Sequence, residues 1–553
     1  MTPLAVAQDD QAAQQADDPS GDSTNPADQD AAPDDAAPAP DQSTEAAAPA
    51  DDSGQATPGE QPSVTPVQTV ETPAAATPIV ASIRAKLNDP TVRKDAPTED
   101  LAVLEAFYNA RSEALWMTDM GFSNEAQAAI DEIRKADDWG LSSAAFDLPS
   151  AGDLPGSVEE QAVGEIELNL AILKYARHAR GGRTNPVQLS KLYGMTPTLR
   201  DPKIVMTEIA AADAPDAYLR SLHPKHEQFR RLHEALLKAR AEAEAGAKPR
   251  DVQRIVINME RWRWMPEDLG SVYVWLNVPS FMVRVVKDGN SVYSDKIVVG
   301  ELKYATPMFS ADLKSVVFNP EWTVPPTIVR ENLLPALRGG GGLFGSNTSI
   351  LTQHDLNVNY NGKRVDPSSI DWNHVNMGAI SFTQAPGPTN VLGKVKFVYP
   401  NPYSVYMHDT IKEGLFDKVS RAEGHNCPRV ANPGKIAAVI LAQDQNMPQA
   451  EVDKLLASGS NSSISISHRV RVLTTYFTAM VNDEGKVETF ADVYRLDGGV
   501  ASAILGKSAT PEAVADNVDP KPSQPPEADP APTAAVPSSP HRPQTEGFAG
   551  AAP

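Results

Sequence analysis

From about Ile79 to residue 250 the apolar positions recur at three- and four-residue spacing. Beyond Arg250 they mostly alternate, so the chain reads as a helical part followed by a largely β part. Leu101, Leu104, Phe107, Tyr108 and Leu115 predict a helix over Thr98–Thr118, with Pro97-Thr98-Glu99-Asp100 at its start. Further helices are expected at Asn124–Ala136, Val158–Ala179 and Pro215–Ala245. Asp137-Asp138-Trp139-Gly140-Leu141 reads as a helix end and turn, and Gly246-Ala247-Lys248-Pro249 as the stop after the last helix.

In the second part, Ser271–Val278, Phe281–Val286 and Ser291–Val299 read as strands. The last two are joined by Lys287-Asp288-Gly289-Asn290, a hairpin signature. Ser315–Phe318, Val395–Val398 and Tyr403–Met407 continue the β character. Gly434–Gln443 and Gln449–Ser458 read as helices, and Val470–Val481 as a strand ending in the Asn482-Asp483-Glu484-Gly485 turn. A long insert, about residues 323–385, carries a short helix (Pro326–Leu337), the run Gly339-Gly340-Gly341-Gly342 and polar loops. An insert of that length in a β domain is usually a lid or disordered, and a lid is the expectation here. The fold class is therefore α+β: a helical domain over residues 78–250, then a mostly β domain over 251–500 with a lid-like insert, between tails at 1–77 and 501–553.

Charge sharpens that division. Residues 1–83 hold 15 acidic side chains and no basic one, which is most of the net charge of −23. Both tails are built from Ala, Pro, Asp, Ser, Thr and Gln, a composition that buries too little apolar surface to offset the entropy of ordering; they are expected to be disordered spacers. The body between them has an ordinary balance, with no basic stripe, which argues against nucleic acid as a partner. Ala5-Val6-Ala7 before Gln8 has the small-x-small form of a signal-peptidase site, the remnant of a truncated export signal in this reading. No apolar run reaches the length of a transmembrane helix.

The chain has one cysteine, Cys427, so no internal disulfide can form, and a lone thiol in an exported protein is a candidate reactive group. Two segments bear on it. Val405-Tyr406-Met407-His408-Asp409-Thr410 ends a strand with a histidine, and Gly424-His425-Asn426-Cys427-Pro428-Arg429 is turn-rich. A free thiol with a pKa of about 8.5 is mostly protonated at neutral pH; adjacent histidine and arginine favour the anion. A Cys–His pair is the minimum machinery for acyl transfer through a thioester. The other histidines read as bystanders: His178, His223, His226 and His233 as surface residues of helices, His354 and His374 as unpartnered residues of the insert. One Cys without a His-x-x-x-His helix makes no recognisable zinc site, no cofactor motif is present, and no Gly-x-Ser-x-Gly elbow supports a serine hydrolase.

These two segments resemble the active-site signature of the L,D-transpeptidase (YkuD-type) catalytic domain: a His, then Ser/Thr-His-Gly-Cys, an apolar residue and Arg. Here His408 precedes Gly424 by sixteen positions. Asn258-Met259-Glu260-Arg261-Trp262-Arg263-Trp264, Phe318-Asn319-Pro320-Glu321-Trp322-Thr323-Val324-Pro325-Pro326, Asn390-Val391-Leu392-Gly393-Lys394-Val395-Lys396-Phe397 and the helical stretch from Tyr108 through Trp116 are similar to the long periplasmic (YcbB-type) branch. The likeness covers roughly residues 100–497.

The resemblance implies a nucleophile, Cys427, that attacks the carbonyl before a terminal D-Ala on a peptidoglycan tetrapeptide stem and passes the acyl group to a second stem as a 3→3 crosslink. It implies His408 as general base and acid, oriented by a backbone carbonyl such as that of Asp409. Asn426 and Cys427 would supply oxyanion N–H groups, His425 would help orient the loop, and Arg429 and Tyr406 would face substrate. A periplasmic location, a part in cell-wall organisation and cell shape, and acylation by carbapenems follow from the same likeness. Gly424, Asn426 and Pro428 depart from the signature. Asn is among the few residues that tolerate the positive φ usually served by Gly before the nucleophile. The same chemistry would also serve to attach an outer-membrane protein to the wall or detach one. A catalytically silent scaffold is the reading from another class.

Overall fold

A computed structural model describes residues 75–149, 156–247, 251–339 and 347–506. Most of both tails, the Ala5-Val6-Ala7 segment, Lys248-Pro249 and most of the glycine run lie outside the described residues.

The helical part packs around Val158–Gly181, whose apolar positions Ile166, Leu168, Ile172, Leu173 and Tyr175 are buried among the other helices. Ser157 and Glu160 close a reciprocal capping box at its start. The helix beginning at Thr98 ends at Asn109, well before Thr118. The reason is buried Glu165, which accepts from the backbone N–H groups of Leu115 and Trp116 and from the Tyr108 hydroxyl, drawing the chain off the helical path. The segment then forms a two-strand ribbon, Met117–Thr118 with Gly121–Phe122.

The single helix expected over Pro215–Ala245 is two, Pro215–Ser221 and Glu227–Glu244. Pro224 breaks it, because the residue before a proline is pushed out of the α region. The break changes the reading of the histidines. His223 is buried, and its ring and that of His233 stack on Trp139 at 4.1 and 3.8 Å between centroids. His178 and His226 are partly buried as well, so none of the four is a plain surface residue. Burial holds His178 and His226 down to about 4.

The second part opens with a helix, Val252–Arg263, that packs against Glu227–Glu244. Its core joins that of the sheet through Ile255, Met259 and Trp262. Among the described residues one sheet holds eleven strands. These are β1 (Val272–Asn277), β2 (Met282–Lys287), β3 (Asn290–Gly300), β4 (Phe309–Asp312), β5 (Ser315–Phe318) and β6 (Val395–Val398). The rest are β7 (Met407–His408), β8 (Ala422–Gly424), β9 (Arg429–Val430), β10 (Ser462–Ser465) and β11 (Arg471–Thr475). Their order is β10-β5-β6-β7-β9-β3-β2-β1-β11-β4, with β8 beside β3.

Three expected elements are cut differently. Tyr403–Met407 is strand only from Met407, because Asn401 folds the preceding residues into a loop by bonding Tyr403 and Val405. Val470–Val481 divides into β11 and a separate ribbon, Ala479–Val481 with Val487–Thr489. Thr478 is pulled aside by Asn258 and by buried Asp497. A last helix, Asp497–Leu505, runs past residue 500, where the sequence reading began the tail.

The insert is folded rather than mostly loop. Because β5 and β6 pair directly, Phe318 opposite Val395, residues 319–394 form one excursion from a single strand pair. Asn390 closes its base by donating to the carbonyls of Pro320 and Ala385. Above that base stands a four-stranded sheet in the order 363–365, 357–360, 380–384 and 322–323. A helical stretch, residues 326–339 with a π turn at Val329–Leu333, leads into it. Buried Trp372 stacks on Phe382, and Arg338 donates to the Trp372 carbonyl.

Candidate active site

The site lies where β6, β7 and β9 run side by side. Cross-strand register places Val317, Lys396, His408, Arg429 and Val298 opposite one another in a row across β5, β6, β7, β9 and β3. Residues directly opposite share a face of the sheet, so Lys396 and Arg429 flank His408 on one surface. The backbone N–H of His408 donates to the carbonyl of Pro428 at 3.1 Å, which ties β7 to the residue after Cys427. Tyr406, two positions before His408, shares its face, with rings 5.6 Å apart.

His408 is buried, and its Nδ1 has no hydrogen bond of ordinary geometry. Burial, with Arg429 and Lys396 nearby, holds the imidazole down to about 3, although the Asp409 carbonyl favours its proton. The ring is therefore neutral across the physiological range. Cys427 is partly buried. Burial pushes its thiol up; the Tyr406 backbone amide, Lys396 and Arg429 all pull the other way. Burial thus favours the uncharged form of both groups.

The remaining predicted residues take distinct places. Asp409 braces the loop beneath: its carboxylate accepts from the N–H groups of Lys394 and Thr410, both at 2.7 Å. Gly393, at φ 60°, sits so close that any Cβ there would overlap that carboxylate. The His425 ring stacks on Tyr304 at 4.2 Å. Asn426 is exposed, and it is not among the residues with positive φ, so conformational tolerance does not explain that departure from Gly. The backbone N–H groups of Asn426 and Cys427 donate to nothing among the described residues. Gly424 has a packing reason: a Cβ would lie 3.0 Å from the Val299 carbonyl, where β8 runs against β3.

Several neighbours were not singled out from sequence. Lys396 holds its ammonium 4.1 Å from the centre of the Tyr406 ring. Trp322, at the root of the insert, acts on the Tyr406 hydroxyl against the rise that burial gives its pKa. Tyr304 joins the insert to the catalytic loop, donating its hydroxyl to Glu331 at 3.0 Å while stacking on His425. Strand alternation alone would have put Lys396 on the face opposite Phe397. Its register against His408 depends on pairing that no local pattern states. His374 also has a partner, Asp371 at 2.8 Å, on the exposed side of the insert.

A helical part is thus joined to a mostly β domain in which His408 and Arg429 face each other on adjacent strands and Cys427 lies in the bend between β8 and β9. Residues 102–236 match the scaffold-domain family, and residues 271–445 match the L,D-transpeptidase catalytic domain family, YkuD. Residues 271–445 therefore carry an L,D-transpeptidase catalytic domain. A protein named "Putative L,D-transpeptidase" from Haemophilus influenzae is 30% identical over 247 residues, 44% of this chain and 48% of that protein. The chain thus spans about half the length of that curated relative. Among the described residues no helix is long and apolar enough to cross a membrane.

Proposed function

We propose that the protein is a cysteine L,D-transpeptidase of the bacterial envelope that forms 3→3 crosslinks between peptidoglycan stems. The observation that carries this reading is the bond from His408 N–H to the Pro428 carbonyl, which puts base and thiol on neighbouring segments of a family-matched domain. His408 takes the Sγ proton of Cys427 as sulfur bonds to the carbonyl carbon of the residue preceding D-Ala. The free N–H groups of Asn426 and Cys427 receive the oxyanion, each donor contributing roughly 3–4 kcal/mol in comparable sites. On collapse the C–N bond breaks, and His408 returns the proton to the departing D-Ala amine. The amine of a second stem then attacks the thioester, loses its proton to His408, and releases the thiolate. Arg429 supports substrate binding in this reading, because its guanidinium has no carboxylate partner among the described residues. The insert acts as a lid, anchored to the site through Trp322–Tyr406 and Glu331–Tyr304–His425.

The test is incubation with purified disaccharide-tetrapeptide, followed by mass spectrometry. Loss of D-Ala together with a crosslinked dimer is the expected result. Loss of D-Ala without a dimer would point to water or a protein amine as acceptor. Intact tetrapeptide with the wild type, as with the Cys427→Ala control, would sink the reading.

A further inference from the structure

Lys396 and Arg429 are an unusual pair. Neither has a carboxylate within ion-pair distance among the described residues, yet both lie in a partly buried row on either side of His408. Removing a cation from water without a counter-ion is costly, so such a pair persists where an anion arises or binds. Lys396 is further fixed by the π-face of Tyr406. A lysine free to swing would place its charge in solvent; one seated on an aromatic ring stays aimed. The Tyr406 backbone amide, like Lys396, opposes the rise that burial imposes on the Cys427 thiol.

We propose that Lys396 is a positioning residue for the acyl transfer, its ring-seated ammonium serving as the counter-charge for the Cys427 sulfur once His408 has taken the thiol proton. The step is balanced: the S–H bond breaks, the proton moves to the His408 imidazole, and the Lys396 ammonium gains and loses nothing. The need for a second cation follows from His408 itself. Burial holds its imidazolium form at a disadvantage, so the imidazolium–thiolate pair is weakly stabilised without outside charge. The groups acting on the sulfur are the Tyr406 amide, Lys396 and Arg429, which favour the anion. Sulfur charge in turn weighs on the Tyr399 and Tyr406 hydroxyls. Asp409 lies behind His408 with its carboxylate engaged by Lys394 and Thr410 amides, so it does not neutralise Lys396. Lys412 and His425 act on or answer to Arg429.

This inference rests on the transpeptidase reading, and its test separates the two. The rate of iodoacetamide alkylation of Cys427 is measured against pH in the full chain for the wild type, Lys396→Met and Lys396→Arg, with thermal unfolding to verify the fold. Methionine keeps the length of the stem and drops the charge. The expected result is a midpoint moved to higher pH in Lys396→Met, with alkylation at pH 7.5 about three- to tenfold slower, a shift of half to one pH unit. Lys396→Arg should restore most of it. Should Lys396→Met fail to fold, Lys396→Gln is scored the same way. A wild-type profile in the charge-removing variant would overturn the proposal. So would a raised KM for tetrapeptide with an unmoved alkylation curve, which would assign Lys396 to a substrate carboxylate. If instead wild-type Cys427 resists alkylation whether or not His408 is present, the transpeptidase reading fails and Lys396 is not at fault.

Discussion

His408 and Pro428 are joined by a backbone hydrogen bond of 3.1 Å, so the main chain at His408 cannot shift relative to the residue after Cys427 without breaking the β7–β9 ladder. Pro428 has no N–H to give, but its carbonyl supplies the link. A proline at this signature position is therefore compatible with a rigid base–thiol arrangement.

His408→Asn should lower the rate of D-Ala release on the order of 10²–10⁴-fold, the range for loss of a positioned acid–base group, while leaving peptide affinity nearly unchanged. A carbapenem should add its mass to the wild-type protein and not to Cys427→Ala. Intact-protein mass spectrometry reads both; equal adducts in the two proteins would place the reactive group elsewhere.

The lid reading makes Tyr304 a latch. Tyr304→Phe removes the hydroxyl bond to Glu331 and keeps the stack on His425, so KM for the peptide should rise several-fold with kcat little changed. Tyr304→Ala removes both contacts and should lower kcat as well. Identical kinetics in the two variants would argue that the insert does not act through the His425 loop.

Buried Asp497 joins the last helix to Val252–Arg263 through Arg261 at 2.5 Å and also accepts from Thr478. Asp497→Ala leaves the Arg261 charge buried and unpaired, which should cost about 3–5 kcal/mol. Urea unfolding monitored by Trp fluorescence would show it as a lower midpoint. A loss below about 1 kcal/mol would mean that water reaches Arg261.

Stability should fall on mild acidification. Burial lowers the folded pKa of His178 and His226 to about 4 and of His408 to about 3, and puts His223 well below its ordinary value. The unfolded side chains titrate near 6.5. Below that pH the unfolded chain binds more protons, so stability is full above about 6.5 and is lost as pH drops toward 4. Unfolding midpoints measured from pH 7.5 to 4.5 should stay level down to about pH 6.5 and decline below it; a flat curve would contradict the burial of these rings.

Much of this protein was legible before folding. Helical spacing marked the scaffold, and alternation with the Asp-Gly turn marked β2 and β3. One cysteine within a recognisable His–Cys–Arg signature marked the candidate chemistry. These are local signals, set by backbone period and residue type. Other features depended on distant partners. Glu165 ended a helix that its own sequence would have continued, and Thr478 split a strand by answering to Asn258 and Asp497. Four histidines whose neighbours looked solvated were drawn into the interior or its margin by Trp139, Tyr175 and the helices around them. Above all, the row Lys396–His408–Arg429 exists only through the register of β6, β7 and β9. Register is a property of paired strands, and no single segment contains it.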